Sequence, residues 1–407
     1  MATWPKSSVE RFDAVVIGGG PAGATSALLL ARAGWSIALV EAKEFPRRKV
    51  CGEYLSATNW PLLMHLGIGN ALEKLAGPEV RDVGLIVGSK CVEARLPQTS
   101  RISPAWGFAV GREYLDTLLI EEAAREGVRV FQPWTCIDFF RVGGRIRLRA
   151  VCKHELELLQ LEAPVVIAAH GSWTSGNLAS QPPRRSAKGS DLFGFKAHFE
   201  HSGLPAGLMP LLCFPDGYGG LVNCDSGRTT FSCCIRRDRL QHIGRGNHPS
   251  IGEAVFGYVL DSTPMLREIL AEDDRQGPWL STGPIQPGIR SRYQDGVYLV
   301  GNAAGEAHPA VAEGISMALQ SAWLLADLWA GQRTNTGSPA ARDAIGHMYA
   351  KAWRQNFMPR IHASAAVAQW AMRPKAVAAS LPWIQNYPSF LTWGARLSGK
   401  ATQVVRF

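Results

Sequence analysis

Three glycines and one carboxylate set the first chemical constraint on this chain. Gly18, Gly20 and Gly23 follow the apolar run Ala14–Ile17, and Glu41 ends the next apolar run, Ile37–Val40. Gly18 permits a tight turn out of a strand, Gly20 lets backbone approach a pyrophosphate, and Gly23 lets a helix pack closely on a sheet. Ala22 sits in the first turn of that helix, whose unpaired N–H groups and positive dipole end favour phosphate. Glu41, with Ala42 beside it, can accept hydrogen bonds from both hydroxyls of a ribose and would repel a 2′-phosphate. The chemistry indicated is binding of a dinucleotide without that phosphate. Further on, Arg48, Lys49, Cys51 and Gly52 place cations and a thiol in one loop. His308, Pro309 and Glu313 place an imidazole, a proline and a carboxylate in another.

These groups need elements to hold them. The order strand, glycine turn, apolar helix, strand and acid is that of a βαβ unit. The segment Ala42–Leu55 is long and basic for a simple connection, which suggests a working loop. Gly111–Gly127 reads as an amphipathic helix, Val128–Phe131 as a short strand, and Thr135–Glu162 as alternating strands with a hairpin at Gly143–Gly144. Pro164–Ala169 reads as a buried strand running into His170. The stretch Asp191–Arg237 reads as a separate antiparallel sheet, followed by helices over Ile251–Leu260 and Met265–Glu272. A buried strand returns at Val297–Val300, then Gly301–Gly305, then a helix over Gly314–Trp329. The expected organisation is an α/β chain with a discontinuous Rossmann-like domain (1–80, 105–180 and 280–330), an inserted antiparallel-sheet substrate domain (81–104 and 181–279) and a helical C-terminal region (331–407).

With 407 residues, 46% of them hydrophobic, the chain can build a sizeable core. Its eight cysteines form no CxxC pair and no zinc-like spacing with histidine, which fits free, mostly buried thiols and no metal site. The formal charge of +9 is dispersed, which argues for a diffuse positive field rather than a nucleic-acid footprint. No signal-like N-terminus and no apolar run of spanning length is visible, so a cytoplasmic location is expected. Trp353, Trp370, Trp383 and Trp393 alternate with Arg354, Arg373, Lys375, Arg396 and Lys400. Core aromatics with solvated charges are the favoured account, and a lid or peripheral contact at a membrane surface is the alternative.

The return segment identifies the nucleotide. Tyr298–Gly305, followed by His308–Ser316, resembles the second FAD fingerprint of the para-hydroxybenzoate hydroxylase-like flavoproteins. The resemblance implies FAD, with Asn302 at the ribityl chain, Gly301 and Ala303 beside it in the cofactor-binding set, Pro309 beside the isoalloxazine, and backbone from Ala312 to Ile315, Gly314 included, at the flavin carbonyl and N1 edge. Asn302 stands where the family has an aspartate. Gly111–Asp116 resembles the family's helix start, so Arg112 is expected to reach the FAD phosphate or ribityl region. His170 replaces the aspartate of the family's Asp-Gly motif and is read as structural.

Pro46–Glu53 and Phe214–Gly220 further resemble the geranylgeranyl reductase-like branch, which is related to flavin-dependent halogenases. The tryptophan halogenases' Trp-x-Trp-x-Ile-Pro motif is absent, which disfavours halogenation. In that branch Cys51–Gly52 would lie near the flavin. The resemblance implies a flavin monooxygenase that hydroxylates a hydrophobic aromatic or polyketide-like substrate through a flavin hydroperoxide. The other reading it leaves open is a carbon–carbon double-bond reductase. Cys51, His308, Pro309 and Glu313 are the catalytic candidates, and NADPH or NADH is the expected transient reductant, docking outside the dinucleotide site. The sequence leaves the substrate and the oligomeric state open.

Overall fold

The computed structural model describes residues 8–98, 104–152, 157–172, 178–181, 186–246 and 248–406. Four fully buried apolar runs make the centre of a six-stranded sheet in the order Tyr293–Gln294, Val297–Leu299, Val165–Ala168, Ala14–Ile17, Ile37–Val40, Arg129–Phe131. All neighbours pair parallel except the edge strand Tyr293–Gln294. Strands buried on both faces need helices on both, which explains why they read as unbroken apolar runs. Helix α1 (Pro21–Arg32) follows the first strand, α2 (Arg112–Arg125) precedes the edge strand Arg129–Phe131, and α3 (Gly314–Trp329) packs along α1.

A four-stranded sheet holds the expected alternating strands, turned at Gly143 and Gly144, both with positive φ as a tight primed hairpin requires. The third sheet has seven strands in the order Arg275–Ile285, Leu192–Phe199, Thr229–Arg236, Gly217–Asn223, Leu208–Phe214, Asp82–Val87, Lys90–Arg95. One face packs on the helix Ile251–Ser262 through Phe199, Phe231 and Phe256. That helix starts with a reciprocal cap between Ser250 and Glu253. The expected helix over Met265–Glu272 shrinks to Leu266–Ile269, because Leu270 is already extended.

The other face of the seven-stranded sheet meets the C-terminal helices α4 (Pro339–Ala371), α5 (Pro374–Asn386) and α6 (Ser389–Leu397). Ala368, Val377, Leu381 and Ile384 join Leu85, Tyr218 and Ile285 in one buried cluster there. Trp353 is buried as core aromatics should be. Trp383 and Trp393 are about half exposed, which corrects the expectation that all four tryptophans fill the core. No helix among the described residues is long and apolar enough to cross a membrane.

Candidate functional site

At the end of strand Ala14–Ile17 the chain turns through Gly18, whose φ of +104° is strained for any side-chain-bearing residue. A Cβ at Gly23 would stand 1.8 Å from the Gly18 carbonyl oxygen, so the helix can start this close to the sheet only without one. Gly20 is different. A Cβ there would meet nothing nearer than Arg112 Nη2 at 3.8 Å, so an open, cation-bordered space lies before the N-terminus of α1. No side chain caps that N-terminus. Glu41 Oε2 accepts from Gly19 N at 2.7 Å and Oε1 from Lys43 N at 2.8 Å. Each oxygen keeps a second lone pair, enough for the two ribose hydroxyls.

Three cations surround the open space. Arg112 is buried, and its guanidinium makes a bidentate pair with Asp116, with both bonds at 2.7 Å. Lys49 is pushed down to about 8 by burial and by the neighbouring Arg112 and Arg47 charges. Arg47 stands 3.9 Å from Glu41 and stacks on Phe45. A cationic group lowered by burial among like charges is one that an anion would stabilise. Arg48 turns away from this cluster, and its Nε lies 3.2 Å from Glu113. Arg47, outside the set of residues expected from the sequence, takes the position near Glu41.

Gly301, at φ +59°, lets the return loop cross α1, since a Cβ there would approach the Ala22 Cβ to 2.8 Å. Its N–H donates to Ser321 Oγ at 2.9 Å. Ala303 is buried beside it, and Asn302 Nδ2 donates to Glu306 Oε1 at 3.1 Å. Glu306 also accepts from Ser172 Oγ at 2.6 Å and pairs with Arg290. A carboxylate therefore sits behind both positions at which this chain lacks the family's aspartates. His170 bonds Gly171 O and Ser180 Oγ, and burial lowers its pKa. At α3 no side chain caps the N-terminus, and a Cβ at Gly314 would meet nothing within 4 Å, while Ile315 is buried behind it. Two open helix N-termini, a cation cluster and a glycine cradle fit the pyrophosphate and flavin ends of FAD.

Glu53, absent from the expected site, is the main polar joint. It adopts a left-handed φ of 61° in the loop after Cys51. Its carboxylate pairs with the Lys196 ammonium, lies 3.0 Å from His198 Nε2, and accepts from Thr230 Oγ1 at 2.6 Å and Arg112 N at 3.1 Å. Burial works against this charge, but Lys196 and His198 outweigh it and hold the carboxyl down to about 2. Glu53, His198 and Cys224 bring potential metal ligands within 4.8 Å of one another. The Lys196 ammonium already holds the carboxylate, however, and burial pushes the Cys224 thiol up to about 12. This is an ion-pair joint between the cofactor loop, α2 and the seven-stranded sheet.

Beyond the cofactor loops lies a cavity of about 620 Å³, bounded by Cys51–Gly52, Pro309–Ala312, the seven-stranded sheet and helices α4 to α6. Its walls are almost entirely apolar. Tyr218 lines it and stays protonated, pushed well above its ordinary range by burial, and Cys234 is pushed up to about 12 for the same reason. His308 faces an adjoining smaller cavity of about 390 Å³ instead, 3.4 Å from Tyr218 Oη, and burial lowers it to about 4. Glu313 lines neither cavity. It is buried at the start of α3, 3.0 Å from Lys400 Nζ, which also donates to Val311 O at 2.7 Å and lies over the Tyr54 ring. Lys400 is thus a buried partner rather than a solvated charge, because Glu313 would otherwise be buried without a counter-ion.

Residues 11–197 match the family model of the FAD binding domain. Menaquinone reductase of Mycolicibacterium smegmatis is 33% identical over 128 residues, 31% of this chain and 30% of that protein, so the chain aligns with under a third of that relative's length. Digeranylgeranylglycerophospholipid reductase 2 of Methanopyrus kandleri is 26% identical over 326 residues, 76% of this chain and 74% of that protein. The p-nitrophenol 4-monooxygenase of Pseudomonas putida shares the fold with a TM-score of 0.74 at 15% identity, covering 97% of this chain and 99% of that one. Over residues 11–197 the chain carries an FAD binding domain, and it is similar in sequence to a digeranylgeranylglycerophospholipid reductase and in fold to a flavin-dependent brominase.

Proposed function

We propose that this protein is an FAD-dependent monooxygenase that hydroxylates a hydrophobic aromatic or polyketide-like substrate. The observation that carries the reading is the apolar cavity of about 620 Å³ between the FAD loops and the C-terminal helices. Its one cationic lining side chain, Lys400, is engaged by Glu313 and Val311 O, and Tyr218 and Cys234 hold their protons. A site without a free acid or base leaves the chemistry to the cofactor and asks the protein for a dry, shaped enclosure. FAD, reduced by NADH or NADPH docking transiently elsewhere, would supply the electrons and the activation of oxygen.

The chain's own residues divide the remaining work. Gly20, Arg112, Lys49 and Glu41 would hold the ADP half. Gly301, Asn302, Ala303 and the α3 N-terminus at Gly314 would hold the flavin half. Cys51, Gly52 and Pro309 form part of the cavity wall, and the sheet and helices supply its apolar remainder. Carbon–carbon double-bond reduction is the second reading, favoured by the match along most of the chain to a digeranylgeranylglycerophospholipid reductase. The two readings differ in their need for oxygen. Anaerobic incubation of the reduced flavoprotein with phenolic and polyunsaturated probes, followed by admission of oxygen, should give product only after oxygen enters. Product formed before that step would replace hydroxylation with reduction.

A further inference from the structure

Helices α5 and α6, with the turn between them, carry half of the large exposed apolar side chains among the described residues. Among the described residues, ten large apolar side chains are more than a third exposed, and Trp383, Tyr387, Phe390, Trp393 and Leu397 are five of them. Tyr387 is 59% exposed and Trp393 54%. Their rings form a continuous patch, with centroids 5.9 Å apart for Trp383 and Tyr387, 4.7 Å for Trp383 and Phe390, and 5.7 Å for Phe390 and Trp393. On α6, Phe390, Trp393 and Leu397 fall on one helical stripe. The opposite side of the helix pair is anchored to the sheet through Val377, Leu381 and Ile384, so the patch is held outward.

The same residues reach inward. Trp383, Phe390, Trp393 and Leu397 also line the cavity, so the same side chains border both the outside of the molecule and the enclosure that reaches Pro309. Charge around the patch is one-sided. From Ala344 to Phe407 the sequence has no aspartate or glutamate. Arg373, Lys375 and Arg396 are exposed on these helices. Among the described residues none of the three meets a carboxylate, and Arg373 Nη2 donates only to the neutral Gln369 Oε1. The adjoining strand adds Arg95, whose charge is met by Asp82.

We propose that α5 and α6 form a docking face for an anionic lipid bilayer, and that the hydrophobic substrate enters the cavity directly from it. Half-exposed Trp and Tyr rings with flanking Arg and Lys are the side chains that settle at a headgroup boundary. Unpaired cations then add attraction to an anionic leaflet. The contact is peripheral, since no described helix can cross a membrane. This inference rests on the cavity assigned above and adds to it the phase from which the substrate comes.

The test uses the full chain loaded with FAD, sedimented with vesicles of phosphatidylcholine alone or with a third phosphatidylglycerol. Binding to the anionic vesicles should be about tenfold tighter than to neutral ones and should weaken in high salt. Tyr387→Ser, and separately the pair Lys375→Glu and Arg396→Glu, should each weaken it about tenfold with unchanged thermal melting. Equal partitioning onto both vesicle types, or none, would overturn the proposal. So would a lipid-free dimer in sedimentation velocity that Tyr387→Ser dissociates, because a second copy would then be the occupant. Vesicle binding needs no turnover, so a failed oxygen test would leave this result standing, and the reverse also holds.

Discussion

The cofactor cleft and the C-terminal wall of the cavity treat charge in opposite ways. In the cleft, buried charges meet designated partners: Arg112 with Asp116, Glu53 with Lys196 and His198, Glu41 with two backbone N–H groups. Along the wall the surface is apolar, Arg373, Lys375 and Arg396 are exposed, and the sequence after Asp343 supplies no acid to meet them. Directional contacts suit a ligand of one fixed shape and charge. An apolar wall selects by volume and contour and tolerates variety within them. The cleft thus suits one ligand atom by atom, and the cavity suits a class of ligands.

Breaking the most heavily bonded joint of the cleft should have the largest effect. Glu53→Gln leaves the Lys196 ammonium buried without its counter-charge and should cost about 3–5 kcal/mol in urea unfolding. The Glu53 carboxyl is held below its ordinary value, so its contribution is fully present above about pH 4.5 and is lost as pH falls toward 2. Wild-type stability should therefore decline across that acid window, and the variant should lack this part of the decline. Lys400→Met, which removes a charge shared between wall and cleft, should cost about 3 kcal/mol, and adding Glu313→Gln should recover part of it.

The glycines sharpen the contrast between building the cleft and filling it. Gly23→Ala drives a Cβ against the Gly18 carbonyl and should cost about 3 kcal/mol of stability. Gly20→Val meets open space, so melting should stay within about 0.5 kcal/mol of wild type while FAD affinity in a fluorescence titration falls about 100-fold. The smallest effect should come from Lys49. Its ammonium is charged below pH 8 and loses its proton above that, so FAD affinity should drop as pH rises through 8. Lys49→Met should bind FAD about tenfold more weakly at pH 7 and show no such step.

Local pattern carried most of the fold. The four apolar strands, the glycine turn and helix α3 from Gly314 to Trp329 all announce themselves within short windows. Glu53 did not, because Lys196, His198 and Thr230 lie far along the chain and nothing near Glu53 marks it as their partner. Glu306 left a usable trace: two aspartate positions are replaced, at His170 and Asn302, and an acid follows four residues after the second. Trp383 and Trp393 misled because a stripe of apolar residues at helical spacing looks the same whether it faces a core or the solvent.

The pairing of Glu313 with Lys400 has a consequence in time as well as space. The ribosome makes the strands and glycine turn at Gly18–Gly23 near the beginning and Lys400 hundreds of residues later. The adenosine half of the pocket can therefore form on the growing chain, while the loop beside the flavin stays unclamped until Lys400 arrives. Loss of the last residues should therefore loosen the loop before α3 while leaving the Gly18–Gly23 turn in place.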